Sequence, residues 1–334
     1  MLQTTSHVFK ALDEKYFFKL ICGASLTDTK MVEDLSFIFT LAGAHVIDLA
    51  PKADVIFAAR QGIEKAISYQ PQAISPLLMA SIQLDEDPHF RKVEVDYNLC
   101  DLCGACVKVC PTKAFRIVDH KKFIYLTERC FGCGICPSYC HVDALKMFDF
   151  KPTPKETLHE MISLGIKSVE FHFGKNFQKI ESVWKESKDL LKKLELLSFS
   201  IGSELLTDEE IRKAANLCYK LAGRHIILQC DGIPMSGGID KKLGNGNNKD
   251  SSSFHVARVI KKEGLPVYLQ ISGGTNHNSF SNAVKLGLNV NGIAIGSYAR
   301  KLLMPYLGKL DNKEEVQKAV ELARSLVDSV GIQS

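Results

Sequence analysis

Outside one central stretch, the chain repeats a single phrase. A segment with apolar residues at helical spacing ends in glycine, a few residues follow, and a short apolar run comes next. Leu41-Ala42-Gly43 leads to His45-Val46-Ile47-Asp48, and Leu164-Gly165 to Ser168-Val169-Glu170-Phe171. Leu221-Ala222-Gly223 leads to Ile226-Ile227-Leu228, Glu263-Gly264 to Val267-Tyr268-Leu269, and Leu286-Gly287 to Gly292-Ile293-Ala294-Ile295. A glycine just past a helix supplies the left-handed residue that closes it and turns the chain into a strand. The phrase is therefore a βα unit.

Counting the less obviously punctuated runs as well, the pattern predicts eight strands near 18–22, 45–49, 77–82, 168–173, 197–201, 226–230, 267–271 and 292–295. Thr207-Asp208-Glu209-Glu210 reads as a capping box opening a helix through Leu221, and residues 177–194 alternate at helical spacing. Eight parallel strands with helices between them predict an α/β fold, a (β/α)8 barrel of the TIM type, with an open doubly wound sheet as the alternative. The central stretch falls after the third strand and before its helix. This divides the chain into residues 1–92 (strands one to three), an insert at 93–149, and residues 150–334 (strands four to eight). Loops that follow barrel strands open on the C-terminal face, so the insert is expected over the barrel mouth.

The insert carries eight of the eleven cysteines in two copies of one spacing. Cys100, Cys103, Cys106 and Cys110, followed by Pro111, form the first copy; Cys130, Cys133, Cys136 and Cys140 form the second, each thirty positions after its counterpart. Three cysteines on a tight loop wrap three corners of a four-iron cubane, and in ferredoxins of this type the fourth thiolate comes from the other motif. The expected sets are Cys100, Cys103, Cys106 and Cys140 on one [4Fe–4S] cluster, and Cys110, Cys130, Cys133 and Cys136 on a second. Disulfides would need an oxidising compartment, and residues 1–20 lack a basic end followed by an apolar signal core, so a cytoplasmic location is expected. Zinc sites favour two Cys-x-x-Cys pairs over three closely spaced thiols and a displaced fourth. His141 stands where the first motif has Pro111, and could tune a cluster through charge or a hydrogen bond.

The 334 residues carry a formal charge of +4, with basic residues spread along the chain, which argues against a nucleic-acid footprint. No apolar run approaches the ~20 residues of a membrane helix. Two further loops are expected at the mouth: Ser272-Gly273-Gly274-Thr275 after strand seven and Gly296-Ser297-Tyr298-Ala299-Arg300 after strand eight. In barrels these loops often bind phosphate, and Ser272, Gly273, Gly274, Gly296 and Ser297 are candidates to hold FMN or another phosphate-bearing ligand. Polar residues gather at predicted strand ends: Asp48, Ser81, His172, Ser200, Gln229, Asp231 and Gln270. Cys22, Cys218 and Cys230 read as small buried apolar residues. The Gly-, Asn- and Lys-rich stretch from Asp231 to Asp250 is a candidate lid or mobile loop.

Three segments, Phe17-Phe18-Lys19-Leu20-Ile21-Cys22-Gly23-Ala24-Ser25, Leu41-Ala42-Gly43-Ala44 with Asp48, and Glu86-Asp87-Pro88-His89-Phe90-Arg91-Lys92, resemble the light-dependent period family of cyanobacteria. The likeness runs from the first strand to the last and takes in both cysteine motifs. It implies a soluble iron–sulfur protein that senses cellular redox state, and so light, and passes it to the circadian clock through clock-input or clock-associated protein partners. It implies no established reaction. Two functions follow: a redox sensor, in which cluster charge alters affinity for a partner or a small redox molecule such as a quinone, or an FMN-dependent oxidoreductase with the clusters as electron relay.

Overall fold

The computed structural model describes residues 2–174, 176–203, 206–223, 225–232 and 252–331. Twelve strands lie within them: β1 (Phe17–Gly23), β2 (Val46–Leu49), β3 (Leu77–Gln83), β4 (Arg91–Val95), β5 (Phe115–Val118), β6 (Lys122–Tyr125), β7 (Leu145–Asp149), β8 (Ser168–His172), β9 (Leu196–Gly202), β10 (Ile226–Asp231), β11 (Tyr268–Ser272) and β12 (Gly292–Ile295). Eight of them close a barrel in the order β1-β12-β11-β10-β9-β8-β3-β2, every pairing parallel. These are the eight strands that the apolar runs predict, and the open-sheet alternative falls. Gly43 shows why the repeat was legible: it caps the helix Thr29–Ala42 at φ 91°, where an L side chain is strained. Gly165, Gly223, Gly264 and Gly287 also have positive φ.

The remaining strands form two antiparallel pairs, β4 with β7 and β5 with β6, between barrel strands β3 and β8. The capping box at Thr207 and Glu210 opens the helix Asp208–Ala222. Of the stretch expected to be a lid or mobile loop, residues 233–250 lie outside the described residues.

The barrel interior is graded along its axis. Phe17, Val46, Leu77, Met79, Leu196 and Ile227 fill the N-terminal end together with Val8, Ala11 and Leu12 of α1 (Leu2–Asp13), which closes that end like a plug. One turn of the pleat further, the inward residues are Lys19, Glu170, Ser198, Gln229 and Gln270, all at most 1% exposed. Strand side chains alternate, so a charge two residues beyond an interior apolar residue must also point inward. A second apolar cluster packs outside the strands against the helices.

Candidate functional site at the barrel mouth

The duplication in the cysteine module extends to its backbone. Leu102 and Gly132, Gly104 and Gly134, and Lys113 and Asp143 all have φ between 53° and 74°, each pair thirty residues apart. Left-handed residues between ligands turn the loop inward on itself, a conformation that aims successive amides into a concavity suited to an anionic group. Gly132 is also required by packing: a Cβ there would meet the Arg91 carbonyl oxygen at 2.3 Å.

The structure brings Cys110, Cys130, Cys133 and Cys136 around one small cavity of about 20 Å³. Cys110 thus sits with the three closely spaced cysteines of the second motif. Its Sγ accepts from the Ala114 amide at 3.2 Å. Cys100 and Cys103 lie close enough to Cys106 to act on its thiol, which burial pushes up to about 11, and burial likewise pushes Cys133 up to about 11. Cys140 packs in the same small core as Cys106 and Cys110. The donor set fits soft-metal binding, since cysteine sulfurs bind such a metal as thiolates and lose their protons when it is bound. His141 pairs with Asp101 at 2.9 Å on the exposed side of the module.

The module and the barrel share a wall. A cavity of about 140 Å³ at the mouth is lined from the module by Phe131, Gly132 and Cys133, and from the barrel by Ser272, Gly273, Gly274, Gly296 and Ser297 among others. Arg300 joins the two halves. Its guanidinium is buried, donates to the carbonyls of Ile21 and Cys22 at 2.7 and 2.8 Å, and stacks 4.5 Å from the Phe131 ring. Burial pulls its pKa down to about 10, opposed by the nearby Cys22 and Cys133 sulfurs. Gly273 serves backbone packing as well as the cavity, since a Cβ would strike the Gly232 oxygen at 2.2 Å. A volume near 140 Å³ suits a benzene-sized guest and is well below the ~300–1,000 Å³ of pockets for drug-sized ligands.

Beneath the cavity the polar strand ends form one network. Lys19 pairs with Glu170 and both are fully buried. Glu170 also accepts from Ser198 at 2.6 Å and from Gln229 at 2.8 Å, and Gln270 donates to Gln229 at 2.6 Å. His172 stands 3.3 Å from Glu170 and 3.7 Å from Asp87; His89 bonds Asp87 at 2.7 Å and lies 4.0 Å from Asp231. Ser200 donates to Asp231 at 3.0 Å and Ser81 to Asp48 at 2.9 Å. Burial opposes charge on both histidines, yet the carboxylates of Asp87 and Glu170 raise His172 to about 10, and Asp87 raises His89 to about 9. Burial would also raise Asp87, but the two imidazolium ions hold it well below the usual carboxylate range. Asp48 and Asp231 lack such close partners, and burial pushes both up.

All seven polar residues expected at strand ends are buried here. Lys19, Asp87, His89 and Glu170 were not singled out by chemistry. A lysine inside Phe17-Phe18-Lys19-Leu20 and a glutamate inside Val169-Glu170-Phe171 were the available signals, since a charge in a buried strand needs an opposite charge elsewhere. Cys22, Cys218 and Cys230 are buried, as expected.

A parallel barrel whose mouth carries a ferredoxin-type module defines the class: an iron–sulfur barrel protein. Residues 93–116 match the 4Fe-4S binding domain, and residues 161–332 match the light dependent period A C-terminal domain. Light dependent period A of Synechococcus elongatus is 30% identical over 97% of this chain and 94% of its own length. The chain belongs to the light dependent period A family. The module alone is similar to an uncharacterised ferredoxin of Methanocaldococcus jannaschii, 35% identical over 16% of this chain and 92% of that protein. It is also similar to a ferredoxin of Methanothermococcus thermolithotrophicus, at 33% over 16% and 92%. Among the described residues no helix is long and apolar enough to cross a membrane.

Proposed function

We propose that the protein is a cytoplasmic redox sensor that relays the reduction state of two four-iron clusters to circadian-clock proteins. Cys100, Cys103, Cys106 and Cys140 hold one cluster, and Cys110, Cys130, Cys133 and Cys136 the other. A four-iron cluster supplies a one-electron couple, and each reduction adds one negative charge. The observation that carries this reading is the wall shared by Cys133, Phe131 and the barrel mouth, with the Arg300 guanidinium buried in it. A charge added there is felt where the dielectric is low and screening weak. Arg300 is tied to the carbonyls at the end of β1, so a change in its pull acts on the segment entering the loop Gly23–Asp28. That loop touches the module directly, through Thr27 N–H to the Glu128 carbonyl at 2.8 Å and Arg129 to Asp28 at 2.8 Å. The clock partner reads the altered mouth and module surface, and the small cavity suits a compact modulator better than a flavin.

The test compares affinities. Calorimetric titration of clock-input proteins from the same cell into the oxidised and the dithionite-reduced protein is expected to differ several-fold, with cluster content checked by iron and acid-labile sulfide. Equal affinity in both states, with clusters intact, contradicts the sensor reading.

A further inference from the structure

The mouth holds a second group of metal-ligating side chains, separate from the eight cysteines. One ligating atom from each of Asp87, His89 and His172 lies within 4.8 Å of those of the other two. His172 is 5% exposed, lines the cavity, and neither of its ring nitrogens makes a hydrogen bond, although carboxylate oxygens stand 3.3 and 3.7 Å away. Buried imidazole nitrogens are seldom left so. We propose that Asp87, His89 and His172 bind a divalent first-row transition-metal ion of the iron(II) or zinc class at the barrel mouth, with Asp231 beside them and the cavity as the open coordination position.

Distances and chemistry support the assignment. A tetrahedral ion with bonds near 2.1 Å has ligand atoms about 3.4 Å apart. The His172–Asp87 and His89–Asp231 separations of 3.7 and 4.0 Å need only a small contraction to reach that. Two imidazoles with carboxylates suit iron(II) and zinc, whereas calcium and magnesium prefer all-oxygen sets. The supporting shell is in place as well. Glu170 stands beside Nε2 of His172, and Asp87 accepts from the His89 amide at 2.8 Å, which fixes the turn Pro88–Phe90 that presents the ring. Buried carboxylates behind ligating histidines orient the ring and raise its basicity. Charge also balances: Asp48, Asp87, Glu170 and Asp231 face Lys19, Arg300 and the two imidazolium ions, and a divalent ion that displaces one proton from each histidine leaves that sum unchanged. The exposed group of Asp101, Cys103 and His141 is set aside, since Cys103 belongs to the cluster module.

Protein with assembled clusters, stripped of loosely held metal on chelating resin under argon, is titrated with Zn²⁺ against a chromophoric indicator while cluster iron and sulfide are monitored. One equivalent of zinc per chain is expected, with cluster iron unchanged. Affinity should fall at least about a hundredfold in His172→Gln and His89→Gln, and stay as it is in His141→Gln. His89 stands on a partly exposed turn, so His89→Gln decides the matter if His172→Gln fails to fold. Absence of uptake, uptake matched by loss of cluster iron, uptake that survives His89→Gln, or uptake lost in His141→Gln each overturns the proposal.

Discussion

His45 and His172 sit at opposite ends of the same barrel, 4% and 5% exposed, and their proton affinities move in opposite directions. At the N-terminal end His45 stacks on His7, accepts the Phe18 amide at 3.1 Å, and packs against the rings of Tyr16 and Phe17. Burial, reinforced by His7, pulls it down to about 4. At the mouth, Asp87 and Glu170 outweigh the same burial and raise His172 to about 10. Desolvation alone does not decide a buried histidine's charge; the nearest ionic partner does. One end of the barrel is built for packing, the other to hold charge beside the cluster module.

The largest test removes the charge that anchors the mouth network. Lys19→Met leaves Glu170 buried without its partner and should cost about 3–5 kcal/mol in urea unfolding, most of it recovered in the double variant with Glu170→Gln. A loss below ~1 kcal/mol would mean the two ends do not differ in kind.

Acid titration probes the other end. The unfolded chain protonates His45 near 6.5 and the folded one only near 4, so its stability contribution is complete above pH 6.5 and is lost as pH falls towards 4. The loss amounts to at most about 3 kcal/mol and should vanish in His45→Gln. His172 has the opposite sign. In chelator-treated protein its contribution is complete below 6.5 and is lost as pH rises towards 10. Denaturant midpoints across that range should therefore lose an acid limb in one variant and an alkaline limb in His172→Gln.

Two glycines sharpen the contrast further. Gly43→Ala, on the N-terminal side, meets nothing within 4 Å and should cost only the left-handed strain, about 1–2 kcal/mol. Gly273→Ala has the same φ problem and in addition a backbone atom at 2.2 Å, so it should cost more and disturb the mouth. The smallest effect is electrical. Arg300→Met removes a positive charge near Cys133 and should lower the potential of that cluster by about 40 mV, the one-electron equivalent of ~1 kcal/mol. An unchanged potential would uncouple the barrel from the module.

The periodic features of this molecule were legible because each is local. Gly43 and its four counterparts, the capping box at Thr207 and the thirty-residue step between cysteine motifs can all be recognised in short windows. The site was only half legible. Asp48, Ser81, His172, Ser200, Gln229, Asp231 and Gln270 could be placed at strand ends, but their linkage depends on closure of the barrel across strands far apart in sequence. Lys19 and Glu170 are separated by 151 residues, and neither is recognisable as half of a pair until β1 and β8 face each other. Asp87 and His89 sit on a turn outside the βα repeat, where no periodicity points to them. Arg300 lies within a glycine loop expected to bind phosphate, and its contacts to two backbone carbonyls and the Phe131 ring depend on β1 and the module, far away in sequence.

Hydrogen exchange measured by mass spectrometry on the anaerobic protein, oxidised and then reduced, tests the central claim most directly. Reduction is predicted to change exchange in the peptides spanning residues 21–28, 127–134 and 296–300, while α1 and the start of β2 exchange as before. Identical exchange at the mouth in both states, or an equal change at both ends of the barrel, would contradict the account.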